Sequence, residues 1–259
     1  MSTSDTTATP TVSRAASPGR RVLAQAGFEV GSLLRNGEQL LVSLVLPVMA
    51  LVGLHATTSP SLGPGSRIDL AVPGVMALCV ISSAFTAQAI STGFDRRYAV
   101  LRYLGVTPLG RGGLVAAKVL ATLVVEAVQL AVISALGLLL GWRPQLSGIP
   151  YAVLFVLVGT WTFVALALLL AGTLRAEAVL AVANLVWVVL LALGGVIVPR
   201  TELPVGLSHL ASVLPSAGLA DGLRSALVEG RLNLPALGVV LAWGVLATAL
   251  AARLFRFDD

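Results

Sequence analysis

The sequence predicts an all-α integral membrane protein with six transmembrane helices, an N-terminal amphipathic helix in the interface, and short re-entrant helices before the last span. Three observations carry that prediction. The 259 residues are 57% apolar and only 11% charged, with mean hydropathy +0.94, whereas a soluble chain is about a quarter charged. The apolar residues gather into six runs near the length of roughly 20 residues that a helix needs to cross a hydrocarbon core of about 30 Å. Those runs are continuous rather than alternating, so their backbone groups are satisfied as helices and not as barrel strands.

In chain order, residues 1–18 are rich in Ser, Thr, Ala and Pro and are expected to form a disordered cytoplasmic tail, leaving 19–259 as one transmembrane domain. The tail has no apolar core of the signal-peptide kind, so the first span is expected to act as an uncleaved insertion signal. From Arg20 to Asn36, Val22, Ala26, Val30 and Leu33 share one helical face, while Gln25, Glu29, Ser32 and Asn36 share another. That spacing suits a helix lying in the cytoplasmic interface. The spans follow at Leu40–Ala56, Leu70–Gly93, Gly113–Leu140, Pro150–Leu174, Ala178–Val198 and Leu234–Leu254. Pro47 is expected to kink or tilt the first of them.

Orientation follows from the basic residues of short loops. Of the 17 Lys and Arg, Arg67, Arg143, Arg200, Arg224 and Arg231 fall on one side of the six spans and the rest on the other. The richer side is cytoplasmic, so both termini are expected inside. The sequence pI of about 10.3 thus reflects topology loops, with no basic helix or aromatic-interleaved patch pointing to nucleic acid. Cys79, the single cysteine, lies within an apolar run and offers neither a disulfide framework nor a thiolate cluster. No internal repeat is evident, which weighs against a carrier built from inverted halves.

Catalytic patterns are missing from the sequence. A phosphate-binding loop needs Gly-x-x-x-x-Gly-Lys-Ser/Thr, but the one lysine, Lys118, stands between Ala117 and Val119. His55 and His209 are far apart and lack the zinc-protease spacing, and neither accompanies a Gly-x-Ser-x-Gly turn. No cofactor is expected on this chain.

Three segments are candidates for function. The first runs from Gly93 to Arg111, with Arg96, Arg97, Tyr98, Leu101, Arg102 and Leu104 ahead of Gly105, then Thr107-Pro108-Leu109 and Arg111. Tyr98, Leu101 and Leu104 make one apolar face of a short helix that Gly105 can stop. As residues alone, this reads first as a basic topology loop. The second segment is Pro199 to Arg224. Pro199, Pro204, Leu207, Leu210, Leu214 and Pro215 give leucines at helical spacing between prolines, either dipping into the outer leaflet or lying on the headgroups.

The third is centred on Glu126, near the middle of the third span, where a charged group costs about 2.5–3.5 kcal/mol. It should face protein or water, or carry a proton. Thr122 and Gln129 share its face, and Lys118 lies a further turn toward the cytoplasm, where its stem can snorkel. This stripe either lines a substrate path or forms a hydrogen-bonded seam between helices, and the sequence leaves the two level. Gln88 and Asn184 are weaker examples of the same signal, for which interhelical hydrogen bonding is expected. Gly137 and Gly141 form a Gly-x-x-x-Gly pair that permits close helix approach, and Trp142, Tyr151 and Trp161 suit interfacial or packing positions.

The segment Thr107-Pro108-Leu109 with Arg111 and Lys118, together with the order Val198-Pro199 … Leu203-Pro204 … Leu214-Pro215 … Gly222-Leu223-Arg224, resembles the permeases of the type-2 export class of ABC transporters. The resemblance covers about residues 18–256. It implies that the chain is the membrane subunit of an ATP-driven exporter in a bacterial plasma membrane, forming the path for a hydrophobic or amphipathic substrate such as a drug, antibiotic or lipid. It further implies two copies of a separate ABC ATP-binding subunit carrying ATP and Mg, a second permease chain, identical or related, and coupling through Arg96–Arg111. Before the turn the chain departs from the family pattern, with Asp95-Arg96-Arg97 where glutamates are common. The alternatives from the residues are an unenergised carrier or channel, or a membrane scaffold.

Overall fold

The computed structural model describes residues 16–35, 37–98 and 109–254, with backbone alone for 32–35, 37–42 and 111. Among the described residues there is no strand. An amphipathic helix α1 (Pro18–Arg35) leads to α2 (Gly37–Ala56) and then to a long helix in three sections: α3 (Arg67–Ile81), a π-helical segment (Ser82–Ala87) and α4 (Gln88–Arg97). Next come α5 (Gly110–Leu139), α6 (Ile149–Thr173), α7 (Ala176–Leu193), the short helix α8 (Val205–Ser212), α9 (Pro215–Glu229) and α10 (Leu234–Leu254).

Five helices are long and apolar enough to cross a membrane: Arg67–Arg97, Gly112–Leu139, Leu146–Thr173, Ala176–Leu193 and Leu234–Leu254. They correspond to the second through sixth predicted spans. The first prediction, Leu40–Ala56, falls within α2, a helix of 20 residues with Pro47 inside it, of which Ser43–Ala56 is the apolar stretch whose side chains are described. The fifth predicted span shortens. It stops at Leu193, not Val198, because Gly194 and Gly195 break the helix, Gly195 taking φ 64°, a conformation that glycine adopts without steric cost.

Burial identifies the centre. In the apolar window of Arg67–Arg97, 78% of the residues are buried, against 22% for α7 and for α10. The long helix is therefore the post around which the others stand, and α7 and α10 present their apolar faces outward, where lipid takes the place of water. Around the post, α6 packs along α10, α2 along α3, and α1 along the start of α5. Chain direction puts the beginnings of α2, α5 and α7 and the ends of α4, α6 and α10 at one end of the bundle, with α1. The opposite end carries α8 and α9.

At the α8 end the segment expected to be re-entrant divides into two different parts. Helix α8 begins after Pro204 and leaves Val205, Leu207, Leu210 and Val213 exposed. Helix α9, with Leu214 at its N-cap and Pro215 at its first position, is buried along most of its length between α3, α6 and α10. Of the leucines at 207, 210 and 214 on which the sequence expectation rested, Leu207 and Leu210 are exposed, and the buried element is the next helix. Glycines on its neighbours make room. A Cβ on Gly148 would stand 1.7 Å from the Ala226 carbonyl oxygen, and one on Gly194 would stand 2.0 Å from Ser216 Oγ.

Candidate functional site

Polar residues spaced one turn apart on α5 make a buried stripe through the middle of the bundle. Lys118, Thr122, Glu126 and Gln129 are each at most 2% exposed, so the sequence expectation of a shared face holds for their positions. Their partners come from five other elements. Gln88 Nε2 on α4 donates to Thr122 Oγ1 at 2.8 Å, and Thr122 Oγ1 donates to the Lys118 carbonyl at 2.9 Å. Ser83 Oγ in the π segment donates to Gln129 Oε1 at 2.8 Å, and Gln129 Nε2 reaches the Ser43 carbonyl of α2 at 3.2 Å. Between these two ties, Thr160 Oγ1 on α6 donates to Glu126 Oε2 at 2.5 Å.

The π segment places the small polar residues. Wide turns of this kind are rare within α-helices and frequent at functional sites, and here Ser82 and Ser83 serve two different neighbours. Ser82 Oγ accepts from Trp187 Nε1 of α7 at 3.0 Å, while Ser83 turns to α5. Asn184, one turn before Trp187, is exposed and donates only to its own helix, at the Leu180 carbonyl. The expectation of an interhelical bond is not met at Asn184, whereas Gln88 makes one.

Two acceptor atoms of the seam are left over. Among the described residues Glu126 Oε1 and Gln88 Oε1 are buried without a hydrogen-bond partner. In hydrocarbon an unsatisfied polar group of this kind costs several kcal/mol, so the pair calls for an explanation beyond packing. A separate groove of about 680 Å³ opens between α5, α6 and α10, lined by Leu114, Val119, Trp161, Leu168 and Thr248 among others. Its walls carry no charged side chain. Among the described residues no group of three or more His, Cys, Asp or Glu is placed to hold a metal ion.

Lys118 belongs to a different cluster than the stripe position implies. Its ammonium lies 3.2 Å from Asp95 Oδ2 of α4 and 3.6 Å from Glu29 Oε2 of α1. One buried lysine thus joins α1, α4 and α5. Glu29, on the polar face of the amphipathic helix, is turned toward the bundle, because Lys118 supplies the countercharge that lets a carboxylate leave water. Leu23 and Phe28 are exposed instead.

The basic residues preceding the turn also have internal partners. Arg96 is buried, donating through Nη1 to the Ala171 carbonyl and through Nη2 to the Leu174 carbonyl, each at 2.8 Å. It caps the end of α6, whose last carbonyls have no partner within the helix. Of the residues named for coupling, Arg96 thus has its guanidinium turned into the bundle. Arg97 pairs with Glu177 at the start of α7 on the exposed surface, and Tyr98 is exposed, stacked on Phe94. Leu101, Arg102, Leu104, Thr107 and Pro108 lie outside the described residues. Arg111 sits in the first turn of α5, and its side chain lies outside them as well.

At the α8 end, Pro199 precedes the short turn Arg200–Glu202 and Pro204 precedes α8. Arg224 of α9 is buried, and its guanidinium donates to the carbonyls of Gly195, Val196 and Ile197 at 2.6, 2.5 and 3.4 Å. Those are the carbonyls freed where α7 unwinds. Gly74 of α3 makes the approach possible, since a Cβ there would lie 2.4 Å from the Val196 oxygen and 2.7 Å from Arg224 Nη2. Asp221 completes the group, 3.0 Å from Arg200 and 3.9 Å from Arg224. Sequence reasoning missed Ser83, Thr160 and Asp221. The first two carry no signal in an apolar run, while Asp221 had one, an acid three positions before an arginine in an otherwise small and apolar helix.

Residues 21–228, from α1 to the last turn of α9, match the family model described as ABC-2 type transporter. No curated protein matches the chain. The family match spans well over half of the sequence and agrees with an all-helical bundle of several apolar membrane-length helices. The chain belongs to the ABC-2 type transporter family and is the membrane permease subunit of an ABC transporter.

Proposed function

We propose that this permease is the transmembrane half of an ATP-driven exporter for hydrophobic or amphipathic compounds, working with a separate ATP-binding subunit. Its energy comes from ATP and Mg bound on that partner, present in two copies, and the path is completed by a second permease chain, identical or related. In this reading α2 counts as the first of six spans, both termini face the cytoplasm of a bacterial cell, and α9 enters the outer leaflet from outside.

The observation that carries the reading, beyond the family, is the Lys118 junction. The cytoplasmic amphipathic helix is not simply laid against the bundle. Through Glu29 it is ion-paired to the same lysine that holds Asp95, near the end of α4. A push on α1 and on the coupling segment that follows α4 is delivered to α5 at Lys118, two turns below Glu126. Rigid-body tilting of packed helices is an established way for such a push to open a path. The Glu126 seam then lies along the surface that parts.

The test is reconstitution with the ATP-binding subunit. In the complex, Leu104→Asp is expected to leave insertion and assembly intact while substrate-stimulated ATP hydrolysis falls to the unstimulated level. Transport by the permease alone, without any ATPase, would overturn the reading in favour of an unenergised carrier.

A further inference from the structure

The orphaned atoms of the Glu126 seam have a chemical sense. At the α8 end the buried polar atoms without partners are mostly nitrogens that can only donate, among them Arg67 Nη2, Arg224 Nε and Trp142 Nε1. In the seam the sense is reversed. Glu126 Oε1 and Gln88 Oε1 are acceptors. The donors tied into the stripe are already spent: Gln88 Nε2 on Thr122, Gln129 Nε2 on Ser43, Ser83 Oγ on Gln129 and Thr160 Oγ1 on Glu126.

Positive charge is missing in the same place. Among the described residues no Lys or Arg is ion-paired with Glu126, the nearest on its face being Lys118, which is held by Asp95 and Glu29. Arg96, further toward the α1 end, is turned onto the carbonyls of α6. The seam therefore offers an acidic group and a spare amide acceptor, and supplies neither countercharge nor spare N–H donors of its own. A ligand that fits must bring both.

We infer that the site formed when this seam parts selects amphiphiles carrying a protonated amine, with Glu126 facing the ammonium group and Gln88 Oε1 accepting one of its N–H donors. The inference rests on the exporter reading and names its substrate class. Anionic amphiphiles meet an uncompensated carboxylate, and neutral ones leave it unpaired; both losses fall on affinity.

The complex of permease and ATP-binding subunit, in nanodiscs of zwitterionic lipid so that the bilayer does not sort by charge, is titrated with four compounds sharing one chain: dodecylammonium, dodecyltrimethylammonium, dodecanol and dodecanoate. Stimulation of ATP hydrolysis is read for each. Dodecylammonium is expected to reach half-maximal stimulation at a concentration about tenfold below dodecanol and dodecanoate, with the trimethyl cation, which has no N–H, in between. In Glu126→Gln that preference collapses, and in Glu126→Asp, which keeps the charge, most of it returns. Gln88→Leu is expected to remove the margin of dodecylammonium over the trimethyl cation while leaving both ahead of dodecanol. Equal responses to all four compounds, or a Glu126→Gln complex that keeps the preference, would sink the inference. A complex that hydrolyses ATP and responds to none of the four overturns the substrate class and leaves the permease reading standing. A permease that binds no ATP-binding subunit overturns both.

Discussion

Lys118 and Arg224 are both buried cations in an apolar bundle, 1% and 7% exposed, yet they are held in opposite ways. Lys118 meets two carboxylates on two other helices, at distances of 3.2 and 3.6 Å. Arg224 meets three consecutive backbone carbonyls at the broken end of α7, with Asp221 at 3.9 Å. Side-chain ion pairs near an interface can open and re-form, because Asp95 is a third exposed and water can take over its solvation. Carbonyls fixed by a helix break have no such exchange partner. The comparison assigns motion to one end and rigidity to the other: α1 can pull on the bundle through a breakable joint, while α9 is keyed into its socket.

The largest effect expected from breaking that contrast is at the rigid end. Arg224→Leu leaves the carbonyls of residues 195–197 buried without donors, and charged hydrogen bonds of this kind are worth about 1.5–3 kcal/mol each. The detergent-solubilised protein is expected to lose most of its folded fraction at growth temperature, read as a collapse of the monodisperse peak in size-exclusion chromatography. Arg224→Lys, which keeps the charge but not the planar fork, should fall between. A Leu variant as heat-stable as the parent would mean that α9 is not held by this group.

At the breakable end, Lys118→Met removes the shared countercharge but leaves an apolar stem in place. The protein should still insert and elute normally. Hydrogen exchange of residues 18–35 is expected to rise by about tenfold or more as α1 separates from α5, with α3 and α6 unchanged. Stimulated ATP hydrolysis in the complex should fall with it. If exchange in α1 stays at the parental level, Glu29 and Asp95 do not dock that helix.

How much of this was legible in the sequence depends on whether the signal lay within one element or between elements. Five apolar runs became membrane-length helices because continuous hydrophobicity is a property of the run itself. Thr122, Glu126 and Gln129 were placed on one face by their spacing alone. What that face touches was not legible, since Thr160 and Ser83 come from helices 34 and 46 residues away in sequence, and a threonine in an apolar run carries no mark of its partner. Arg96 looked like a loop cation because the C-terminal carbonyls that it caps belong to another helix. The same cause hid α9. Its Ser, Gly, Asp and Arg resemble a loop, and the glycines that make its socket, Gly74, Gly148 and Gly194, are scattered over other parts of the chain.

The smallest expected effect sharpens the comparison by testing a cation that is neither buried nor shared. Arg97 and Glu177 pair on the surface at the α1 end with side chains 47% and 68% exposed, and such pairs contribute about 0–1 kcal/mol because water solvates both partners when they separate. Arg97→Gln should shift the melting temperature in detergent only slightly, and the small shift should vanish in 1 M salt, where charges are screened within about 3 Å. It should leave α1 exchange at the parental level, in contrast to Lys118→Met. If Arg97→Gln instead matched Lys118→Met in releasing α1, the joint at that end would be a diffuse basic field rather than one buried lysine, and the distinction between the two ends would rest on Arg224 alone.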